Sequence, residues 1–288
     1  MFPTDCVPAV LAAVASVVGQ MQPLPGVSPA VQTHLRAWER ASAGVKTFTA
    51  EFTKVVEDRI ISRQTTYTGS VWLKKPNLAR LRVEHQPAPE QKRDPDAYEA
   101  YICDGNEAFV YVGGTRTVTV YPLAGLPAAA NNPLFNFIVR MDPQNWPFVG
   151  PENLLTLAAG GRVNAAQLVR RFDIREVPDK KGGPYLYLEF VPRTAADKAL
   201  FDVATVALIR PGQFGDRTLE YMPRVVRFVR RNGQEVETWD FPSPQVNTAL
   251  IDRRVFRFIN PGAGWKIVRV PAAEPANPKK GAGDKPKP

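Results

Sequence analysis

Apolar and polar residues alternate with a period of two along most of this chain, which predicts a protein built mainly of β-strands. Phe48, Ala50 and Phe52 share one face of the first such run, and Val71 and Leu73 repeat the pattern in the next. Similar short runs, separated by turn residues, continue to about residue 270. The pattern predicts about ten or eleven short strands, almost all sequential and antiparallel.

Glycine-containing turns punctuate these runs. Asp104-Gly105-Asn106, Gly113-Gly114 and Gly182-Gly183 each separate two strand patterns, and Asn232-Gly233 is a strong signal for a two-residue hairpin. Glycine suits these turns because it adopts positive φ angles at little cost. The strands are therefore expected to follow one another hairpin by hairpin.

A few segments show helical spacing instead. Ser28 followed by Pro29 is typical of a helix start, and the helix it opens is expected to end at Gly44. Short apolar helices are predicted in the middle of the chain over residues 133–141, 151–159 and 164–171, with one more over residues 194–201. A long antiparallel sheet tends to curl, and helices packed on its inside would enclose an apolar cavity suited to a hydrophobic ligand.

The two ends of the chain differ from this domain, which is predicted to span residues 20–270. Residues 1–19 are interpreted as a signal peptide, because Val7–Val18 is apolar, uncharged and too short to span a bilayer. The segment before it lacks Lys and Arg, which leaves open that these residues belong to the fold. Residues 271–288 are rich in Pro, Gly, Ala and Lys and are predicted to be a disordered basic tail. An export signal predicts a periplasmic or otherwise exported protein.

The chain is basic, with a formal net charge of +9, and its densest basic run is Arg224–Arg231. We interpret that run as a strand with charges outward, and transient contact with an anionic membrane is the alternative. The sequence shows no RNA- or DNA-binding motif, so we expect no nucleic-acid partner. Cys6 lies in the predicted leader, and Cys103 lies in an apolar strand as a small buried residue. The sequence has no catalytic, cofactor or zinc-binding pattern, so we expect no enzyme activity and no cofactor.

Several motifs occur in an order that resembles a known family. They are Thr47–Val55, Gly69–Leu78 (GSVWLKKPNL), Asp104–Tyr111 (DGNEAFVY), Thr119–Leu123 and Asn132–Val139 (NPLFNFIV). Together they span about 100 residues, and their order and spacing resemble the periplasmic outer-membrane lipoprotein carriers, the LolA-like proteins. From Asn164 onward only the rhythm of the strands agrees.

The resemblance implies a mainly β protein with helices (α+β), an unclosed antiparallel β-barrel covered by a helical lid. It also implies a carrier, without cofactor or bond chemistry, that holds lipoprotein acyl chains or other lipids and exchanges them with membrane donor and acceptor proteins. We expect a monomer, since nothing in the sequence indicates an obligate oligomer. The candidate residues lining the cavity are Phe48, Phe52, Val71, Leu73, Leu81, Val83, Phe109, Tyr111, Phe135, Phe137 and Ile138. Each could instead belong to a solid core.

Two positions depart from the family pattern. Family members usually carry Arg where this chain has Lys75, and an aromatic residue where it has Ala79. The resemblance assigns both positions to gating of the lid, and Lys keeps the charge there but loses the planar guanidinium fork. An envelope module that senses lipid or lipoprotein and regulates a protein partner is the alternative function, because the same fold occurs in such proteins.

Overall fold

The computed structural model describes residues 24–75, 78–87, 90–92, 94–123, 163–179, 182–230, 232–247 and 250–271. The predicted signal peptide, the predicted helices over 133–141 and 151–159, and nearly all of the predicted tail lie outside these ranges. The described helices are α1 (Pro29–Ala43), α2 (Ala165–Arg171) and α3 (Ala195–Lys198). The described strands are β1 (Thr47–Asp58), β2 (Arg63–Lys74), β3 (Leu78–Gln86), β4 (Tyr98–Cys103), β5 (Glu107–Val112), β6 (Thr117–Pro122), β7 (Phe172–Val177), β8 (Tyr185–Pro192), β9 (Val203–Ile209), β10 (Pro223–Arg230), β11 (Glu235–Asp240), β12 (Gln245–Val246) and β13 (Lys266–Arg269).

All thirteen described strands belong to one mixed sheet, in the order β13-β6-β5-β4-β3-β2-β1-β11-β10-β9-β8-β7, with β12 also paired to β1. Two ladders of hairpins, β1–β6 and β7–β11, meet where β1 pairs with β11. The sheet is not closed, since the order ends at β13 and β7. The predicted class, a mainly β fold with an unclosed barrel and helices, is confirmed. One pairing differs from the expected pattern, because β13 runs parallel to β6.

Local sequence signals explain where the elements begin and turn. The Ser28 side chain accepts a hydrogen bond of 3.3 Å from the Val31 amide and so caps α1, as predicted. Asn164 caps α2 in the same way, accepting a bond of 3.0 Å from the Gln167 amide. Asn232 (φ 56°) and Gly233 (φ 86°) both have positive φ angles, which favours a turn here, but Arg230 pairs with Glu235, so the connection is longer than the predicted two residues.

The inner face of the sheet is defined here as the face on which α1 and α2 pack. Trp38 of α1 is fully buried and meets Phe190 of β8 edge-on, with ring centroids 6.4 Å apart. Phe48, Phe228 and Leu35 belong to the same large cluster of buried residues. Full burial of such side chains stabilises a fold by about 1.5–3 kcal/mol each, so this cluster is the main core. No described helix combines the length and apolar character needed to cross a membrane.

The outer face of β3–β6 is covered by the end of the chain, which we call the C-terminal segment (residues 250–271). The Tyr111 hydroxyl donates to the Ile259 carbonyl and accepts from the Ile259 amide, both at 2.9 Å. The Phe258 ring packs against Phe109 with centroids 5.2 Å apart, and Trp265 packs against Tyr111 at 6.3 Å. This half of the sheet is therefore covered on its outer face by residues far away in sequence.

Candidate functional site

The inner face of β2–β5 carries two rows of apolar side chains. Antiparallel partners share a face, so the register defines both rows. The first row consists of Leu73, Ala79, Cys103 and Ala108, and the second consists of Val71, Leu81, Tyr101 and Val110. We call these eight residues the inner apolar rows. Five of them form a buried cluster separate from the main core.

Six of the predicted cavity residues lie on the inner face. Phe48, Phe52, Val71 and Val83 are buried within the main core cluster. Phe52 packs between Trp239 and Phe241, with centroid distances of 5.0 and 6.0 Å, which leaves its ring no free side. The remaining two, Leu73 and Leu81, are half-buried and contact both clusters. These two residues mark the boundary between the solid core and the inner apolar rows.

The prediction that Phe109 and Tyr111 line the same surface is wrong. Both lie on the outer face, in a cluster with Val118 and Val120 that Trp265 packs against. The physical reason is that β5 is apolar on both faces, with Ala108 and Val110 pointing inward, so alternation alone could not assign its sides. The last three predicted residues, Phe135, Phe137 and Ile138, lie outside the described residues.

The two predicted gating residues lie in different surroundings. Ala79 is buried in the first inner apolar row, between Leu73 and Cys103. Lys75 donates from Nζ to the Ser42 carbonyl at 3.2 Å, at the end of α1. The Ser42 hydroxyl in turn accepts a bond of 2.9 Å from the Val163 amide, just before α2. Ser42 therefore ties the β2–β3 corner to the segment that enters α2, and a gating role for either position stays a prediction.

A buried ion pair interrupts the apolar inner face where β1 meets β11. Lys54 Nζ lies 3.3 Å from Glu237 Oε1, and the two side chains are only 2% and 3% exposed. Trp239 Nε1 donates to the same carboxylate at 2.5 Å, and Arg230 reaches its other oxygen at 3.0 Å. The Lys54 ammonium also lies 4.9 Å from the centre of the Trp239 ring. Glu237 is thus surrounded by three donors.

Burial changes the proton affinities of this region. Desolvation lowers the pKa of Lys54 below its usual value, although the charge and hydrogen bond of Glu237 act in the opposite direction. Desolvation also raises the pKa of Glu99, which accepts a hydrogen bond from the Tyr101 hydroxyl. Burial raises the pKa of the Cys103 thiol to about 11, so this thiol is an inert apolar group at neutral pH.

The sequence interpretation missed Lys54, Tyr101 and Val110 as inner-face residues. A signal for Lys54 was present, since the alternation Phe48, Ala50, Phe52 continues to it and places a lysine on the core side. No signal identified Glu237 as its partner, because the two residues are far apart in the chain. Among the described residues, no group of three or more metal-ligating side chains is positioned to hold a metal ion.

Comparison with known proteins gives matches at the level of structure. No protein-family model and no curated protein matches the chain. The MucA/MucB complex of Pseudomonas aeruginosa matches with a TM-score of 0.39 and 17% identity, over 78% of this chain and 60% of the other. A structure of MucB matches with a TM-score of 0.39 and 16% identity, over 84% of this chain and 66% of the other. The chain thus spans less than two thirds of the MucB chains.

A third similar structure is a LolA superfamily protein from Nitrosomonas europaea. It matches with a TM-score of 0.37 and 10% identity, over 79% of this chain and 97% of the other.

Proposed function

We propose that this protein is a non-enzymatic periplasmic carrier, which binds lipoprotein acyl chains or other lipids against the inner apolar rows. The observation that supports this proposal is the division of the inner face. The main core, on which α1 and α2 pack, extends from β7–β11 and β1 to Val71 of β2, whereas five residues of the inner apolar rows, on β3–β5, form a separate buried cluster. Sites for hydrophobic ligands are lined mainly by apolar side chains, and this cluster supplies such a lining outside the main core.

The energetics of lipid transfer agree with such a surface. Each methylene group removed from water contributes about 0.8 kcal/mol, so ten buried methylenes of an acyl chain amount to about 8 kcal/mol. A carrier must supply comparable burial and still release its ligand. Small residues in the first row, Ala79, Cys103 and Ala108, leave more room above the sheet than large ones would. Room of this kind favours a thin, flexible ligand over a rigid one.

Native mass spectrometry with lipid extraction, on protein purified from its own cell envelope, tests the proposal. We expect a bound lipid or lipoprotein that accompanies the folded protein. Folded protein that carries no lipid would argue against a carrier, and it would favour a solid core over the inner apolar rows.

A charge placed on the boundary between the two inner-face clusters makes the test specific. Leu73→Glu puts a carboxylate beside the inner apolar rows at a half-buried position, so we expect lipid to be lost while the fold is kept. Ser70→Glu is the matched control, because it adds the same charge to the outer face of the same strand. Global unfolding of Leu73→Glu, measured by circular dichroism, would show that Leu73 is a plain core residue.

An envelope regulatory module with a protein partner is the second candidate. It is favoured by apolar side chains that the C-terminal segment leaves partly exposed, namely Phe258, Ile259 and Ile267. A regulator is expected to purify with a stable protein partner and without lipid. The same native mass spectrum therefore separates the two candidates.

A further inference from the structure

The hairpin between β1 and β2 ends in an exposed apolar tip. We call residues 59–63, with the sequence Arg-Ile-Ile-Ser-Arg, the β1–β2 tip. Ile60 is 65% exposed and Ile61 is 62% exposed. Single exposed aliphatic residues are ordinary on protein surfaces, but here two are adjacent at the end of a hairpin whose strands have 12 residues each. Neither isoleucine belongs to a buried cluster of the described residues.

The conformation of the tip is fixed by hydrogen bonds. Asp58 Oδ1 accepts from the Ile60 amide at 2.9 Å and from the Ile61 amide at 3.3 Å. The Arg59 amide donates to the Gln234 carbonyl at 2.8 Å, which anchors the tip to the neighbouring hairpin. The tip is therefore presented in a defined shape, and insertion of the isoleucines into a partner requires little further ordering.

The charges at the tip are positive and available. Arg59 and Arg63 flank the isoleucines and are exposed, and within the described part of the chain neither forms an ion pair. Three carboxylates lie near the tip: Asp58 accepts from the two amides of the turn, Glu235 opposite it on β11 pairs with Arg230, and Glu57 precedes Asp58 on β1. By contrast, two arginines of the basic run predicted from the sequence are paired, Arg224 with Asp240 and Arg230 with Glu235 and Glu237.

We propose that the β1–β2 tip docks on an anionic bilayer surface. Ile60 and Ile61 would enter the boundary between head groups and acyl chains, while Arg59 and Arg63 contact lipid phosphates. Two adjacent aliphatic side chains flanked by cations match the two layers of such a surface, apolar below and anionic above. A protein partner would have to supply an apolar pocket ringed by acids to satisfy the same residues. The site lies at a hairpin end, so it does not depend on what the inner face binds.

Co-sedimentation of the full chain with vesicles tests the tip. The vesicles are phosphatidylcholine with and without phosphatidylglycerol, and the variants are Ile60→Ser/Ile61→Ser and Arg59→Gln/Arg63→Gln. We expect the isoleucine variant to bind anionic vesicles at least about tenfold more weakly. Each arginine contributes about fivefold to the affinity for an anionic surface. The arginine variant should therefore lose most of the preference for phosphatidylglycerol.

Leu250→Ser is the matched control, because this leucine is fully exposed and lies beside Ile251, which contacts Lys74 at the opposite end of β2 from the tip. The control should bind vesicles as the wild type does. The proposal is overturned if wild-type protein ignores anionic vesicles, if the tip variants bind unchanged, or if Leu250→Ser loses as much binding. It is also overturned if size-exclusion chromatography shows that the isoleucine variant dissociates a dimer, since a second copy would then cover the tip. Lipid content measured on the same samples reports separately on the carrier proposal.

Discussion

Replacing Glu237 with glutamine would remove the carboxylate that Lys54 and Arg230 share, although Arg230 still pairs with Glu235. Glutamine has nearly the same shape, so packing changes little and the main loss is the negative charge. Removing one partner of a buried ion pair typically costs about 3–5 kcal/mol, because the other charge stays buried without compensation. We therefore expect the free energy of unfolding of Glu237→Gln to fall by about 3 kcal/mol at neutral pH.

The opposite substitution should cost much less. Lys54→Met keeps the aliphatic stem and removes the ammonium, and Glu237 then still accepts from Trp239 Nε1 at 2.5 Å and from Arg230 at 3.0 Å. We expect a loss of about 1 kcal/mol or less, since a satisfied carboxylate remains and methionine packs well. The asymmetry follows from the number of donors around the carboxylate.

The loss in Glu237→Gln should also shrink at alkaline pH. The pKa of Lys54 is already lowered in the folded protein, and Glu237 is the main influence that raises it. Without Glu237 the pKa of Lys54 in the folded protein falls further. At pH values above that pKa, the unfolded chain holds more protons than the folded chain. Stability then rises with pH until unfolded lysine itself titrates near about 10.4. The stability difference between Glu237→Gln and wild type therefore shrinks between the folded pKa of Lys54 in the variant and its folded pKa in wild type. The difference shrinks by up to about 1.4 kcal/mol per pH unit in that range.

Urea unfolding of both variants, followed by circular dichroism at several pH values from neutral to alkaline, measures these differences. Glu189→Gln is the control, because its partner Arg175 is 74% exposed and surface ion pairs contribute about 0–1 kcal/mol. Equal losses in Lys54→Met and Glu237→Gln would refute the reasoning. A loss in Glu237→Gln that does not change with pH would show that Lys54 keeps its proton without its partner.

Two further predictions concern packing on the sheet. Gly69→Ala should lower the free energy of unfolding by about 2–3 kcal/mol in a urea titration, because a methyl group there collides with the Phe52 ring and the Arg82 carbonyl; Gly114→Ala, with nothing within 4 Å of its new methyl group, should stay within about 0.5 kcal/mol. In a Cys6→Ser background, Cys103 should react slowly with a disulfide reagent in the folded protein and fast in urea, because burial raises the pKa of its thiol to about 11. Fast reaction of the native protein would contradict the burial of Cys103.

Local signals in the sequence predicted the sheet well. The Ser28 cap and the alternation of β1 depend on neighbouring residues, and both are confirmed, whereas the turn at Asn232-Gly233 is present but longer than the two residues predicted. The second half also contains strands, as the short apolar runs continuing to about residue 270 predicted, although no motif supported that half. Secondary structure of this kind is largely determined within a few residues of chain, which is why it could be predicted.

The errors concern contacts between distant residues. Phe109 and Tyr111 were assigned to the inner face because β5 is apolar on both sides, and what decides their side is the C-terminal segment about 150 residues later. Lys54 likewise needs Glu237 to be tolerated in the interior. Alternation reports that a face is buried, but it does not report which distant segment covers it.

The meeting of β1 and β11 has a consequence for how the chain folds. Each ladder of hairpins forms from neighbouring residues, but joining the ladders brings together strands about 180 positions apart, which is slow and costly in chain entropy. A slip of one residue at this junction would turn every side chain of β1 to the wrong face. Lys54 and Glu237 lie on either side of the junction, so a slip of one residue would move Lys54 to the outer face and leave Glu237 on the inner face without it. The ion pair thereby penalises the misaligned sheet more than it strengthens the correct one.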